Sequence, residues 1–190
     1  GAMNPQNFSF RLGAPVGGAP VAFTNSTLIN LPNGQPTTTS GPASPYPSTI
    51  NATGLTGQKN IRLTLNGFRH EWYNDMDFLL VGPGGQKFIF MSDNGNNATE
   101  ALPPITFSIT DTAAALLPGT NAGVIADGGE YRPSNVATPD PFVAPAPAAP
   151  YESAAPVGTA TFASVFGTDG TAVNGTWSLY AVDDAGSDPG

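Results

Sequence analysis

Glycine and proline interrupt this chain so often that no long helix fits between them. The 190 residues include 23 Gly and 20 Pro, and a proline inside a helix costs about 3 kcal/mol where a glycine costs about 1. Such a chain is confined to short strands joined by turns and irregular loops. Its apolar content of 39% is ordinary, so these loops belong to a folded domain with a core and not to a disordered chain. The length fits one domain. Residues 1–3 read as a cloning scar outside the fold, and residues 4–190 as a single β-sandwich.

Hydrophobic periodicity places the strands. In residues 60–68, Ile61, Leu63 and Leu65 fall on one face and Arg62, Thr64 and Asn66 on the other, the period-two pattern of a half-buried strand. Residues 78–81 and 88–91 are continuous apolar runs separated by GPGGQK; they fit a hairpin covered on both faces. Ile105, Phe107 and Ile109 alternate with Thr106 and Ser108. NFSFRL, VAFTNSTLINLP, TINATGL, ATFASVF and GTWSLYAVDD are further strand candidates, the last with Trp177, Leu179 and Ala181 on one face. DTAAALL fits one or two helical turns before Pro118 and Gly119 stop it. The proline-rich stretch 139–156 predicts extended, polyproline-like backbone, and Tyr131, Phe142 and Tyr151 suggest a long loop pinned by its aromatic rings. Short strands without alternating helices predict an all-β, antiparallel β-sandwich with long Pro/Gly-rich loops. A partly open barrel is the alternative.

Charge and composition exclude several functions. A net charge of −8 disfavours nucleic acid and anionic membrane surfaces as partners, since both select for Lys and Arg. The absence of Cys removes thiol catalysis, thiolate zinc sites and disulfide staples. No apolar stretch approaches the roughly 20 residues of a helical span, so no membrane insertion is expected.

Three acids stand at one end of the hairpin in HEWYNDMDFLLVGPGGQKFIFMSD. If Asp75 and Asp77 share a strand, their carboxylates project to one face about 6–7 Å apart. The returning strand then brings Asp93 opposite or diagonal to Asp75, at roughly 5–8 Å. Like charges so placed destabilise a sheet; they need either full solvation or a bound cation. Calcium suits an all-oxygen set of carboxylates, amides and carbonyls in YNDMD and SDNGNN. VDDAGSD supplies a second acidic loop with Asp183, Asp184 and Asp188, completing the first site or forming its own. The competing reading is that Asp and Asn simply suit turns.

No catalytic residues emerge. His70 is the lone histidine, no G-x-S-x-G elbow is present, and a histidine at a strand end is more often a packing or hydrogen-bonding residue. Trp72 and Tyr73 fit the rim of the core, or else a sugar-stacking surface. Five N-x-S/T sequons in an Asn- and Thr-rich chain carry little weight.

Together, GFRHEWYNDMDFLLVGPGGQKFIFMSDNG and the downstream NGTWSLYAVDD resemble the P domain that follows the subtilisin-like catalytic domain of proprotein convertases. The matching positions are His70, Asp75, Pro83, Gly85, Gly175, Trp177, Leu179 and Asp183, with Ala181 and Val182 shifting the late strand's pattern slightly. Bacterial versions in large secreted and surface proteins, which also carry segments like YPSTI and PYES, are the nearer likeness, over roughly residues 20–190. The resemblance implies a jelly-roll sandwich, calcium sites and a non-catalytic role. It also implies a secreted or cell-surface bacterial location, with a neighbouring domain or a protein partner as the contact. A carbohydrate-binding or adhesion module, with glycan as partner, is the second reading. Family members continue past the acidic loop into another strand, which is lacking after SDPG; NFSFRL is a candidate to fill that place.

Overall fold

The alternation of 60–68 decides which way the first sheet faces. In the computed structural model, which describes residues 6–12, 20–32, 40–96, 103–140 and 142–186, Ile61, Leu63 and Leu65 are buried while Arg62, Thr64 and Asn66 are half-buried on the opposite face. Among the described residues twelve strands form: β1 Gln6–Leu12, β2 Val21–Ile29, β3 Gly41–Pro42, β4 Ser48–Ala52, β5 Ile61–Phe68, β6 Met76–Val81, β7 Lys87–Ser92, β8 Ile105–Thr110, β9 Glu130–Tyr131, β10 Ser134–Asn135, β11 Glu152–Ser153 and β12 Gly175–Asp183. A short helix, α1, spans Phe162–Phe166.

These strands build two sheets. One runs β2-β1-β5-β8-β9; the other runs β10-β7-β6-β12-β3, with β4 also pairing β12 and β11 pairing β7. All the long strands pair antiparallel. The two-residue strands β9, β10 and β11 join in parallel. NFSFRL lies within β1, between β2 and β5 in the first sheet. The protein is an all-β sandwich, as the turn-rich sequence predicts.

Between the sheets lies an aromatic core. Phe68 packs on Tyr73, Phe78 and Phe107, with ring centroids 4.9, 6.0 and 5.7 Å away, and Phe78 continues to Phe90 at 5.9 Å. Tilted and edge-to-face rings at these separations are the favoured aromatic geometry and add about 0.5–1.5 kcal/mol per pair beyond area burial. Trp177, Leu179 and Ala181 of β12 are buried in this core, as their alternation predicts.

A second apolar layer explains why β6 and β7 are continuous hydrophobic runs. Leu79, Ile89 and Tyr180 face away from the main core and are buried beneath Tyr46, Val81, Phe142, Ala146 and Tyr151. Phe142 and Tyr151 come from the proline-rich loop and meet edge-on at 5.6 Å. This loop is pinned to the outer face of the second sheet, as expected from its aromatic residues, while Tyr131 packs on Phe107 of the first sheet. Its path is not uniformly polyproline-like, because Ala146 N–H closes a turn onto Val143 C=O at 3.0 Å.

Two sequence expectations are corrected. ATFASVF is not a strand: Phe162 and Phe166, four residues apart, turn inward on one face of α1. Thr161 caps the first turn in a reciprocal box with Ser164, Asp111 accepts from the Phe162 and Ala163 N–H groups, and Gly167 ends the helix at φ 72°. Local capping therefore outweighs the period-two pattern. DTAAALL forms no helix; its backbone instead bridges Leu116 to Arg132.

Candidate metal centre

A single 3₁₀ turn sets up the site. Tyr73 is fixed in the core against Phe68, and Asp75 N–H bonds back to Trp72 C=O at 3.1 Å, closing the turn Tyr73–Asp75 just before β6. Asp75 is thus in the turn and Asp77 on the strand, so the two do not share a strand face as the sequence spacing suggested. Asp75 takes part through its backbone: its C=O accepts from Asp184 N–H at 2.9 Å, tying the C-terminal acidic loop to the head of β6.

Asp77 is the second residue of β6, where alternation from the buried core residues Met76 and Phe78 turns its side chain to the outer face. It is 1% exposed, and its Oδ2 has no hydrogen-bond partner. Asp93 follows β7 directly in the left-handed conformation, φ 56°, which aspartate tolerates better than most residues. Asp140 arrives from the proline-rich segment. The three carboxylates offer oxygens that all lie within 4.8 Å of one another.

Neutral hydrogen bonding from Ser92 reaches all three acids. Ser92 Oγ lies 3.0 Å from Asp93 Oδ2 and 2.5 Å from Asp140 Oδ1, and one hydroxyl proton serves only one acceptor at a time. Asn135 donates through Nδ2 to Asp140 Oδ2 at 3.2 Å, while its own Oδ1 is buried without a partner.

The electrostatics follow from burial and crowding. Desolvation pushes the Asp77 carboxyl up to about 9, opposed by the Ser92 hydroxyl and reinforced by the charges of Asp184, Asp140 and Asp93. Asp140 is raised first by burial, with Ser92 and Asn135 pulling it down and Asp93 adding repulsion. Asp184, on the rim, is pushed to about 6 by desolvation and then by Asp93, Asp183 and Asp140. A cluster of this kind either takes up protons or takes up a cation.

The remaining sequence candidates fall elsewhere. Asp183 is 0% exposed and pairs with the equally buried His70, Nε2 to Oδ2 at 3.3 Å, while its charge also acts on Asp184. His70 Nδ1 is engaged by the Trp72 backbone at 2.8 and 3.2 Å, so the ring is a packing and hydrogen-bonding group. Asp188 lies outside the described residues. Tyr73 is core and Trp72 half-buried, leaving a single ring of the supposed stacking pair at the surface. Asp140 carries no spacing signal of its own, since the prolines and aromatic rings around it point only to a docked loop; it is the one acid between Arg132 and Glu152.

The donors suit a hard cation. All are oxygens, neither thiolate nor free imidazole is at hand, and Asp77 Oδ2 and Asn135 Oδ1 are buried acceptors lacking donors. Calcium, with six to eight oxygen ligands in flexible geometry, fits such a set better than magnesium or a transition metal. No family model matches the chain, and searches of curated proteins and of solved structures find no match. Among the described residues, no helix is long and apolar enough to cross a membrane.

Proposed function

We propose that this protein is a calcium-stabilised, non-catalytic accessory module of the P-domain type, carried by a secreted or surface protein of bacterial origin. In this reading the jelly-roll sandwich supports a neighbouring domain or docks a protein partner. The observation that carries the calcium assignment is the buried Asp77 carboxylate, whose Oδ2 lacks a partner while Asp93 and Asp140 converge on it. The non-catalytic assignment is supported by His70, which is enclosed and already bonded on both ring nitrogens. The P-domain assignment rests on the ordered motifs from His70 to Asp183 and is compatible with the two-sheet architecture.

Titration calorimetry with calcium on chelator-stripped protein is the direct test. A single binding event with millimolar or tighter affinity, lost in Asp77→Asn, is expected. Heats indistinguishable from dilution, with identical melting curves in calcium and chelator, overturn the metal assignment. Attaching the native neighbouring domain tests the accessory role: its melting temperature should rise when this module is present and folded.

A further inference from the structure

The three carboxylates come from two mechanically different parts of the molecule. Asp77 and Asp93 belong to the β6–β7 ribbon, the centre of the second sheet, whereas Asp140 belongs to the proline-rich loop lying over that sheet's outer face. We infer that the bound cation acts as a clasp, joining Asp140 to the ribbon and so fastening the loop over the aromatic outer face. This rests on the cation reading above and goes beyond it by assigning the ion a specific mechanical task.

The two ends of the loop are held by the ladder bonds of β10 and β11 to β7, with Ala154 N–H on Ile89 C=O at 3.1 Å, and Asp140 itself by Ser92 and Asn135; between them the loop's fastenings are modest. At its start, Val136 N–H bonds Ser92 C=O and Asn135 N–H bonds Ala155 C=O. Farther along, Lys87 Nζ donates to Ala148 C=O at 2.6 Å in an exposed setting, and Tyr180 Oη reaches Pro145 C=O at only 3.5 Å. Tyr151 Oη bonds Pro147 C=O, a contact of the loop's own chain. What the loop covers is apolar: Leu79, Ile89 and Tyr180, with Phe142 seated two residues past Asp140.

The cluster itself opposes closure when it is ionised and empty. Three carboxylates within 4.8 Å repel unless protons or a cation intervene, and the repulsion acts between the ribbon and the loop. A dication reverses the sign of that force at the residue from which Phe142 is delivered. Two buried acceptors from different elements, Asp77 Oδ2 and Asn135 Oδ1, point to a ligand and not to solvated turn acids.

Residue-resolved amide exchange by NMR on the intact chain, in calcium and in chelator, tests the clasp. Calcium should slow exchange at Val136, Phe142 and Ala146 by about tenfold or more beyond any slowing at Leu63 and Leu65 of β5, the mark of suppressed local opening. In Asp140→Asn that loop-specific protection should disappear. Calcium binding with uniform slowing across loop and β5 overturns the clasp and leaves the metal site standing. No binding and no change in exchange overturns both. The wild-type comparison decides the matter even if the variant fails to fold.

Discussion

Asp77 and Asp140 bring carboxylate oxygens within 4.8 Å of each other although one is the second residue of a central strand and the other interrupts a run of prolines. The side chain of Asp77 is almost wholly enclosed, and one of its oxygens has no donor. Burying that carboxylate in its ionised form beside two others is costly, so it either keeps a proton or is completed by a cation. Millimolar calcium is therefore expected to raise the melting temperature relative to chelator. At a hundredfold excess over Kd the gain is about 2.7 kcal/mol, or on the order of 5–10 °C for a chain of this size. Differential scanning calorimetry checks it.

Asp77→Asn separates the ion's contribution from that of the fold. The amide is nearly isosteric with the protonated carboxyl that burial favours in the cation-free protein. In chelator the variant should melt at or above the wild-type temperature, because the amide needs no proton taken up on folding. In calcium it should show little of the wild-type increase. A variant that melts lower in chelator yet keeps the full calcium increase would place Asp77 in the packing and not among the ligands.

The cation-free protein should lose stability as pH rises. Asp77 has a folded pKa near 9 against 3.8 for the free side chain, so the folded state holds a proton that the unfolded state has released. Its contribution is fully present below about pH 4 and is lost as pH climbs through about 9. Within that window the slope is on the order of 1 kcal/mol per pH unit for a single such group. Asp184, raised to about 6, steepens the lower part of the window. Saturating calcium should flatten or invert the trend, because the cation stabilises the ionised form. Urea melts at several pH values, in chelator and in calcium, read both slopes.

How far the sequence led depended on how local each signal was. Period-two alternation in β5 and the double-sided apolar runs of β6 and β7 were legible because each reports the surroundings of its own strand. The aromatic residues in the proline-rich loop correctly indicated docking, since rings in a polar loop need an apolar partner. The short helix was hidden: five residues cannot display a helical period, and the deciding Asp111 lies about fifty positions upstream. The candidate site was half legible. Asp77 and Asp93 follow from hairpin geometry, but the 3₁₀ turn that takes Asp75 off the strand, closed beside the Tyr73–Phe68 contact, has no spacing signature. Asp140 arrives through a long-range loop path, which no spacing rule encodes, and Asp183 is diverted by a histidine more than a hundred residues away.

The His70–Asp183 pair gives a prediction independent of the metal. Both side chains are fully enclosed, with Ala185 N–H also bonding Asp183 Oδ1 at 3.3 Å. Removing one member of a buried, hydrogen-bonded pair leaves the other uncompensated, which typically costs about 3–5 kcal/mol. His70→Ala should therefore lower stability by that order while retaining the calcium-dependent increase in melting temperature. Chemical denaturation in calcium and chelator gives both numbers from one variant.

Helix α1 offers the last test, because two different forces hold it and they differ in size. Phe162 inserts between Phe88 and Phe90, at 5.4 and 6.0 Å, and is 0% exposed. Phe162→Ala leaves a cavity between helix and sheet and should cost about 3–5 kcal/mol. Asp111→Ala removes only the acceptor of the Phe162 and Ala163 N–H groups, and a lost cap costs about 1 kcal/mol. If the helix is held mainly by its buried face, the ratio of the two losses in urea denaturation should be about three or more. Equal losses would mean that the cap organises the segment, and that Phe162 finds its pocket only after Asp111 has fixed the first turn.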